Sequence, residues 1–471
     1  MANASNQPGK YDRSLVEGPI PLAVWRIAWP TMLQNVIGGL QGLIDHALVG
    51  HFVGFAANAA IGVSWQIFLV VIVFVSSLYT GMGVLVSRFV GARETGKVNR
   101  SVYQAFLVST SISLFILAPV GYFLSPALLS LVNAQPAVQE QALPFLRIMF
   151  GLSFGMLTYF MIGGALRAAG DARTPLRLGV VMTVLNIALN IILIRGLGPI
   201  PALGTAGSAL GTALASGSVA LYAVARLRSG QWVVEFPRGM SYLPDWAVIR
   251  SLLRFGLPAG MQGVAMNIAG LMLLRFIGSL ERSAEAQAAY AVGYTELFSL
   301  ITWTSFGLMS AAATVAGQNL GAQQPERSAR AVHVSSLFGL GLAACVGLMF
   351  VAVPEQLLGL FGMNDPTVTS IGVQLLGFLS VSGLFIAVAL AYTGGLQGTG
   401  DTRSPFVISV ISQMVVPLGI CSVLQATRGL QSADIWTAIL LGHMTRCLLS
   451  VVRFRQQKWR GIKVDIEPAR G

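Results

Sequence analysis

The feature that most constrains this chain is a series of apolar runs, each about 18 residues or longer, that recur along the 471-residue sequence. As an α-helix, a run of that length crosses the ~30 Å hydrocarbon layer of a bilayer. Only 10% of the residues are charged, whereas about a quarter are charged in an ordinary soluble domain. A transmembrane β-strand would instead alternate apolar and polar residues over about ten positions. We therefore predict an all-α polytopic membrane protein.

Gly, Pro and charged residues divide the chain into twelve predicted transmembrane helices. Their ranges are 22–50, 58–82, 103–125, 143–166, 175–196, 203–226, 249–278, 286–316, 331–353, 369–396, 405–427 and 434–452. Several of these ranges exceed the ~20 residues that a bilayer requires, which predicts tilt, bends or extensions into the cytoplasm.

Basic residues are distributed unevenly over the predicted loops. Of the 30 Lys and Arg residues, 24 fall on the side that holds both terminal segments, and only Arg195, Arg282 and Arg428 fall in the opposite loops. Because cytoplasmic loops carry an excess of basic residues, both termini are predicted to be cytoplasmic. The same bias explains the net charge of +12, so we expect a lipid bilayer and no nucleic acid as the partner.

An internal repeat divides the chain into two halves. The segment GALRAAGDARTPL (164–176) returns as GGLQGTGDTRSPF (394–406), and Pro30 with Gln34 returns as Pro258 with Gln262. Six helices per half is an even number, so both halves enter the membrane from the same side. We predict two parallel six-helix lobes related by a pseudo-two-fold axis along the membrane normal, which is a transporter architecture.

The predicted domain organisation follows from the repeat. It comprises a polar cytoplasmic segment 1–21, an N-lobe 22–226, an inter-lobe loop 227–248, a C-lobe 249–453 and a basic cytoplasmic tail 454–471. In each repeated loop a Gly can end one helix and a Pro can begin the next, so we interpret the loop as a structural hinge. Local pairs, Asp171 with Arg173 and Asp401 with Arg403, are expected there.

The first and fifth predicted helices carry polar residues at similar depth. Asp45 lies in the outer half of the first helix, and Asn186 and Asn190 share one face of the fifth. Burial disfavours the charged form of a carboxyl group, and two amides could hydrogen-bond either form. We predict a proton- or cation-binding site here, with Pro30 as a helix bend. The alternatives are a solvated Asp45 near the membrane face and an Asn pair that joins helices.

Polar residues in the second half give further candidates. Glu296 in the eighth predicted helix and Arg275 in the seventh could form a structural salt bridge across the hairpin, or could contact a substrate or cation. His443 and Arg446 in the twelfth helix are weaker candidates for a functional contact of this kind. The three cysteines lie in apolar runs, so we expect neither a disulfide nor a metal site.

Nucleotide-binding and catalytic motifs are absent from the sequence. It has no Walker loop, no C-x-x-C and no H-E-x-x-H. Uphill transport would therefore draw on an ion gradient, and we predict neither an enzyme nor a cofactor.

Several motifs together resemble the multidrug and toxic compound extrusion (MATE) family, in its DinF-like, prokaryotic branch within the MOP flippase superfamily. They are Pro30 with Asp45, VSRFVGARE after helix 2, GALRAAGDARTPL after helix 4, LNIALNIIL in helix 5, VAGQNLGAQQ after helix 8 and GGLQGTGDTRSP after helix 10. The resemblance implies export of cationic or amphipathic compounds from a bacterium across its inner membrane. It also implies that Asp45 is the proton or cation site, with Asn186 beside it.

The sequence departs from the family pattern at two positions. Many members carry a second aspartate where this chain has Asn190, and Asn267 lies near the place of an acidic residue in helix 7, where we consider a substrate or gating role. One ionisable group suits a proton better than a sodium ion. We therefore predict a monomeric proton-coupled exporter of small organic molecules. A Na⁺-coupled exporter and a lipid-linked precursor or polysaccharide flippase remain alternatives. A passive channel is a further alternative, and it would be distinguished because its transport would not respond to a collapsed proton gradient.

Overall fold

The computed structural model describes residues 11–132 and 135–466, and within these ranges all regular secondary structure is helical. Lys10 and Arg470, which the orientation prediction counts as cytoplasmic, lie outside the described residues, as do parts of the predicted segments 1–21 and 454–471.

The described ranges contain twelve long helices, one for each predicted span. The first six are α1 Ile20–Phe52, α2 Phe55–Gly91, α3 Thr95–Leu131, α4 Pro136–Gly151 with Ser153–Ala168, α5 Arg173–Arg195 and α6 Gly204–Arg228. The others are α7 Trp246–Gly278, α8 Ser283–Gly321, α9 Pro325–Ala352, α10 Pro366–Thr399, α11 Arg403–Thr427 and α12 Ser432–Arg455. Shorter helical segments are Ser14–Glu17, Pro354–Gly359 and a 3₁₀ turn at Lys458–Gly461.

Ten of these helices are long and apolar enough to cross a membrane in the part of the chain that is described. The two segments of α4, which meet at an angle of 54°, would make an eleventh span. α1 is not among them, since Gln34, Asn35, Gln41 and Asp45 lower the hydropathy of its second half.

The described chain packs as two units. Unit 1 contains Leu33–Leu257, and unit 2 contains Gly18–Met32 and Pro258–Val464. α1 and α7 each change unit within their length, α1 just after Pro30 and α7 at Pro258. Proline removes a backbone hydrogen bond and allows a helix to bend, so both helices can bend at these points. The bend at Pro30 and the predicted lobe limits remain predictions.

Each unit has its own apolar core. In unit 1, Phe68 and Phe150 pack edge to face with ring centroids 5.3 Å apart, beside the buried Phe145. In unit 2, Phe298 and Trp436 belong to a cluster of buried side chains from α8, α9, α10 and α12. Aromatic pairs of this kind stabilise a core beyond the area that they bury.

The repeated loops are helix-capping elements. Gly170 and Gly400 have φ angles of 101° and 103°, a left-handed conformation that favours glycine. Asp171 Oδ1 accepts hydrogen bonds from the backbone N–H groups of the two residues that begin α5. The expected pair of Asp401 with Arg403 is wrong, because Asp401 instead binds Arg453, with Nη2 2.8 Å from Oδ2.

Close packing of α10 on α8 depends on glycine. A Cβ atom at Gly398 would lie 2.1 Å from the carbonyl oxygen of Ala313. We expect Gly398→Ala to lower the free energy of unfolding by about 1–3 kcal/mol, because two helix backbones must separate. The midpoint of thermal unfolding in detergent measures this loss. Gly377→Ala is the matched control on the same helix, since its Cβ would meet no atom within 4 Å. Equal midpoints for the two variants would contradict this packing.

Candidate functional site

Asp45 is buried in unit 1, where the second half of α1 packs beside α5. Its side chain is only 4% exposed. Its partner is Asn190 of α5, whose Nδ2 donates a 2.7 Å hydrogen bond to Asp45 Oδ1. The structure therefore brings together the two residues that the sequence placed at similar depth, and it does not leave Asp45 solvated.

The hydrogen-bonded chain continues from α5 to α6. Asn190 Nδ2 also lies 3.4 Å from Asn186 Oδ1, and Asn186 Nδ2 donates to Thr212 Oγ1 at 2.9 Å. Both asparagine side chains are fully buried. Their spacing of four residues places them on one face of α5, and that face meets both Asp45 and α6. Asp45, Asn190, Asn186 and Thr212 form what we call the Asp45 site.

A glycine of α6 makes room for the amide of Asn190. A Cβ atom at Gly211 would lie 2.1 Å from Asn190 Oδ1. That oxygen is buried and has no hydrogen-bond partner among the described residues. A primary amide offers both donors and an acceptor. Asn190 can therefore donate to an ionised Asp45, and after rotation it can accept from a protonated one.

The Asp45 site has an uncompensated charge when the carboxyl group is ionised. No Lys, Arg or His of the described residues forms an ion pair with Asp45. A buried carboxylate without a paired cation is costly. Binding a proton or a small cation would remove that cost, so the site has the chemistry of a cation-exchange position.

Two glutamines of α1, which the sequence analysis did not assign to a site, hydrogen-bond to other helices of unit 1. Gln41 Oε1 accepts a 2.8 Å hydrogen bond from Thr183 of α5. About two turns earlier on α1, Gln34 Nε2 donates to the hydroxyl of Tyr159, and Gln34 Oε1 accepts from Arg167 at 3.0 Å. Positions 34, 41 and 45 share a helical face, and this spacing is the signal that could have found them.

The other candidate residues take no part in the hydrogen bonds that form the Asp45 site among the described residues. His46 pairs with Asn58, with Nδ1 2.6 Å from Oδ1, and not with its neighbour Asp45. In unit 2, Glu296 is half-buried in a π-helical turn of α8, and Arg275 is exposed. No ion pair joins these two in the described chain. Asn267 donates to the carbonyl of Gly263 within its own helix, at 3.0 Å.

Comparison with known proteins identifies the family. The MatE family model matches residues 30–192 and 258–422, and the two matches begin at the repeated prolines. The chain is 26% identical over 440 residues to the probable multidrug resistance protein NorM of Thermotoga maritima, covering 92% of each chain. It is 25% identical to the multidrug resistance protein MdtK of Yersinia pseudotuberculosis serotype O:1b, covering 91% of this chain and 94% of that protein.

Solved structures agree with this fold. An outward-facing multidrug resistance MATE family transporter of the MOP superfamily superimposes with a TM-score of 0.86 at 21% identity, covering 94% of this chain and 97% of that one. The predicted all-α, multi-spanning class is thus confirmed. The family matches, together with relatives named for multidrug resistance, support a role in efflux. The chain therefore belongs to the MatE (multidrug and toxic compound extrusion) family of membrane transporters.

Proposed function

We propose that the protein is a secondary active antiporter that exports organic cationic or amphipathic compounds in exchange for protons. It would act in the inner membrane of a bacterium as a monomer, with both termini in the cytoplasm. The single observation that carries the proposal is the buried carboxyl group of Asp45, which has amide and hydroxyl neighbours and no ion-paired cation among the described residues. Intramembrane ionisable groups commonly mark ion pathways.

Coupling follows from opposed binding. If substrate binding disfavours protonation of Asp45, protonation disfavours substrate binding by the same factor. Uptake of a proton from outside would then release the substrate there, and loss of that proton to the cytoplasm would reset the site. Asn190 serves both states, since its amide can donate or accept.

Sodium is the second candidate for the coupling ion. The unpartnered Asn190 Oδ1 lies beside the carboxyl group, and hard cations bind oxygen ligands. We favour the proton because it needs only the one carboxyl group of the Asp45 site, whereas a hard cation such as Na⁺ needs several oxygen ligands at once.

Transport by purified protein in liposomes distinguishes the two ions. A pH gradient and a sodium gradient are imposed separately, with the membrane potential held at zero. We expect the pH gradient alone to drive substrate accumulation and the sodium gradient alone to leave it at background. Accumulation driven by sodium without a pH gradient would overturn proton coupling, and no response to either gradient would overturn antiport.

A further inference from the structure

A groove lies between the start of α5 and the end of α6, beside the inter-lobe loop. It has a volume of about 410 Å³, within the range of roughly 300–1,000 Å³ that ligand pockets occupy. All of its lining residues belong to unit 1, and none of them is part of the Asp45 site. We call it the α5–α6 groove, and its main lining residues are Arg177, Val181, Leu185, Tyr222, Arg226 and Trp232.

The spacing of the lining residues makes the α5–α6 groove amphipathic. On α5, Arg177, Val181 and Leu185 follow one another at intervals of four residues, so they share one helical face. On α6, Tyr222 and Arg226 have the same spacing. Each arginine lies within about one turn of the end of its helix, whereas the apolar side chains continue toward the middle of the helices. The groove is therefore cationic at its outer end and apolar further in.

Neither arginine of the groove has an acidic partner among the described residues. Arg226 donates to the amide oxygen of Gln231, but its Nε atom is buried without a hydrogen-bond partner. Arg177 is exposed, and its guanidinium forms no ion pair or hydrogen bond within the described chain. No Asp or Glu of that part of the chain lines the groove. Two guanidinium groups with unpaired N–H donors suit a phosphate, which they can bind through charge-assisted hydrogen bonds.

Aromatic rings indicate the depth of the groove in the bilayer. Trp232, which follows α6, packs edge to face with Tyr222, and their ring centroids are 6.3 Å apart. The Cζ atom of Arg226 lies 5.5 Å from the centroid of the same tyrosine ring. Trp and Tyr are enriched where a membrane meets water, which places the two arginines at the level of the lipid head groups. Val181 and Leu185, both exposed on α5, then lie at the level of the acyl chains.

We propose that the α5–α6 groove binds an anionic phospholipid, with the phosphate at Arg177 and Arg226 and an acyl chain along Val181 and Leu185. A lipid with net negative charge is favoured over a zwitterionic one, because no carboxylate of the described lining receives an ammonium group. Basic pockets between transmembrane helices on the cytoplasmic side bind anionic head groups, and the proposed orientation places this end of α5 and α6 there. The inference goes beyond the proposed export function and requires only that the two helices span a membrane.

Lipid binding to the full-length protein in detergent tests the groove. Phosphatidylglycerol and phosphatidylcholine with identical acyl chains are titrated separately, and bound lipid is measured by native mass spectrometry. We expect the wild type to bind phosphatidylglycerol at least about tenfold more tightly, which is the scale of a charge-assisted hydrogen bond. Replacing both Arg177 and Arg226 by Gln should remove this preference. Val181→Trp, which keeps both charges and fills the apolar part of the groove, should weaken binding of phosphatidylglycerol.

Arg228→Gln is the matched control, because it removes one positive charge from the same end of α6 at an exposed position outside the groove. It should leave the preference for phosphatidylglycerol unchanged. Equal affinity of the wild type for the two lipids would overturn the proposal even if the double variant does not fold. If glycerol 3-phosphate alone raises the thermal unfolding midpoint as much as phosphatidylglycerol does, the ligand is a free phosphate and the lipid assignment is wrong. A folded double variant that keeps the preference would show that the lipid binds elsewhere.

Discussion

Export driven by a pH gradient is expected to fall to background when Asp45 is replaced by Asn. The carboxamide has nearly the shape of the carboxyl group and can still pair with Asn190, but it cannot bind or release a proton. The loss would therefore come from coupling and not from packing. Substrate efflux from inverted membrane vesicles, at matched expression, measures it.

Glu140→Gln is the matched control for this variant. It removes an acidic group that is exposed, in the first segment of α4, and export should remain at the wild-type rate. Substrate binding to purified Asp45→Asn should weaken, because the substitution fixes the site in the neutral form that disfavours substrate. Undiminished pH-driven export by Asp45→Asn would show that the coupling proton binds elsewhere.

A second large effect is expected from Gly211→Ala. The new Cβ atom would lie 2.1 Å from Asn190 Oδ1, so we expect the amide to shift and to lose the geometry of its 2.7 Å hydrogen bond to Asp45. A displacement of about 1 Å in a preorganised site can reduce a rate by roughly 100-fold. We expect pH-driven export to fall by about 10- to 100-fold while the protein still folds, with the same vesicle assay as the measurement.

Gly217→Ala is the control for this substitution, since it lies on the same helix and its Cβ would meet no atom within 4 Å. Its export should equal that of the wild type. If Gly211→Ala transports as well as Gly217→Ala does, the position of the Asn190 amide has no influence on coupling.

Apolar runs and the Gly, Pro and charged residues between them located the long helices of the described chain, but several predicted ends were wrong. α2 was predicted to end at 82 and continues to Gly91. Its last turns carry Ser87 and Arg88, which reduce hydropathy without ending the helix. The division of α4 at Leu152 was not predicted. An apolar run has the same composition whether its helix is straight or, as here, bent by 54°. Hydropathy records burial in lipid and contains little information on backbone direction.

The site was only partly predictable for a related reason. Asp45, Asn186 and Asn190 are conspicuous in the sequence because polar residues within apolar runs are rare. Gly211 and Thr212 are ordinary residues of a transmembrane helix, and only the packing of α6 on α5 gives them their role. Arg446 was visible as a charge, but only the coordinates show that its Nε atom is buried without a hydrogen-bond partner among the described residues.

Proton release on substrate binding is the most direct test of Asp45 as the coupling group. Purified protein in weakly buffered detergent is mixed with a saturating permanent cation, and the pH change is recorded for wild type and for Asp45→Asn. We predict that the wild type releases up to about one proton per molecule and that the variant releases none. Equal proton release from the two proteins would contradict the assignment of coupling to Asp45.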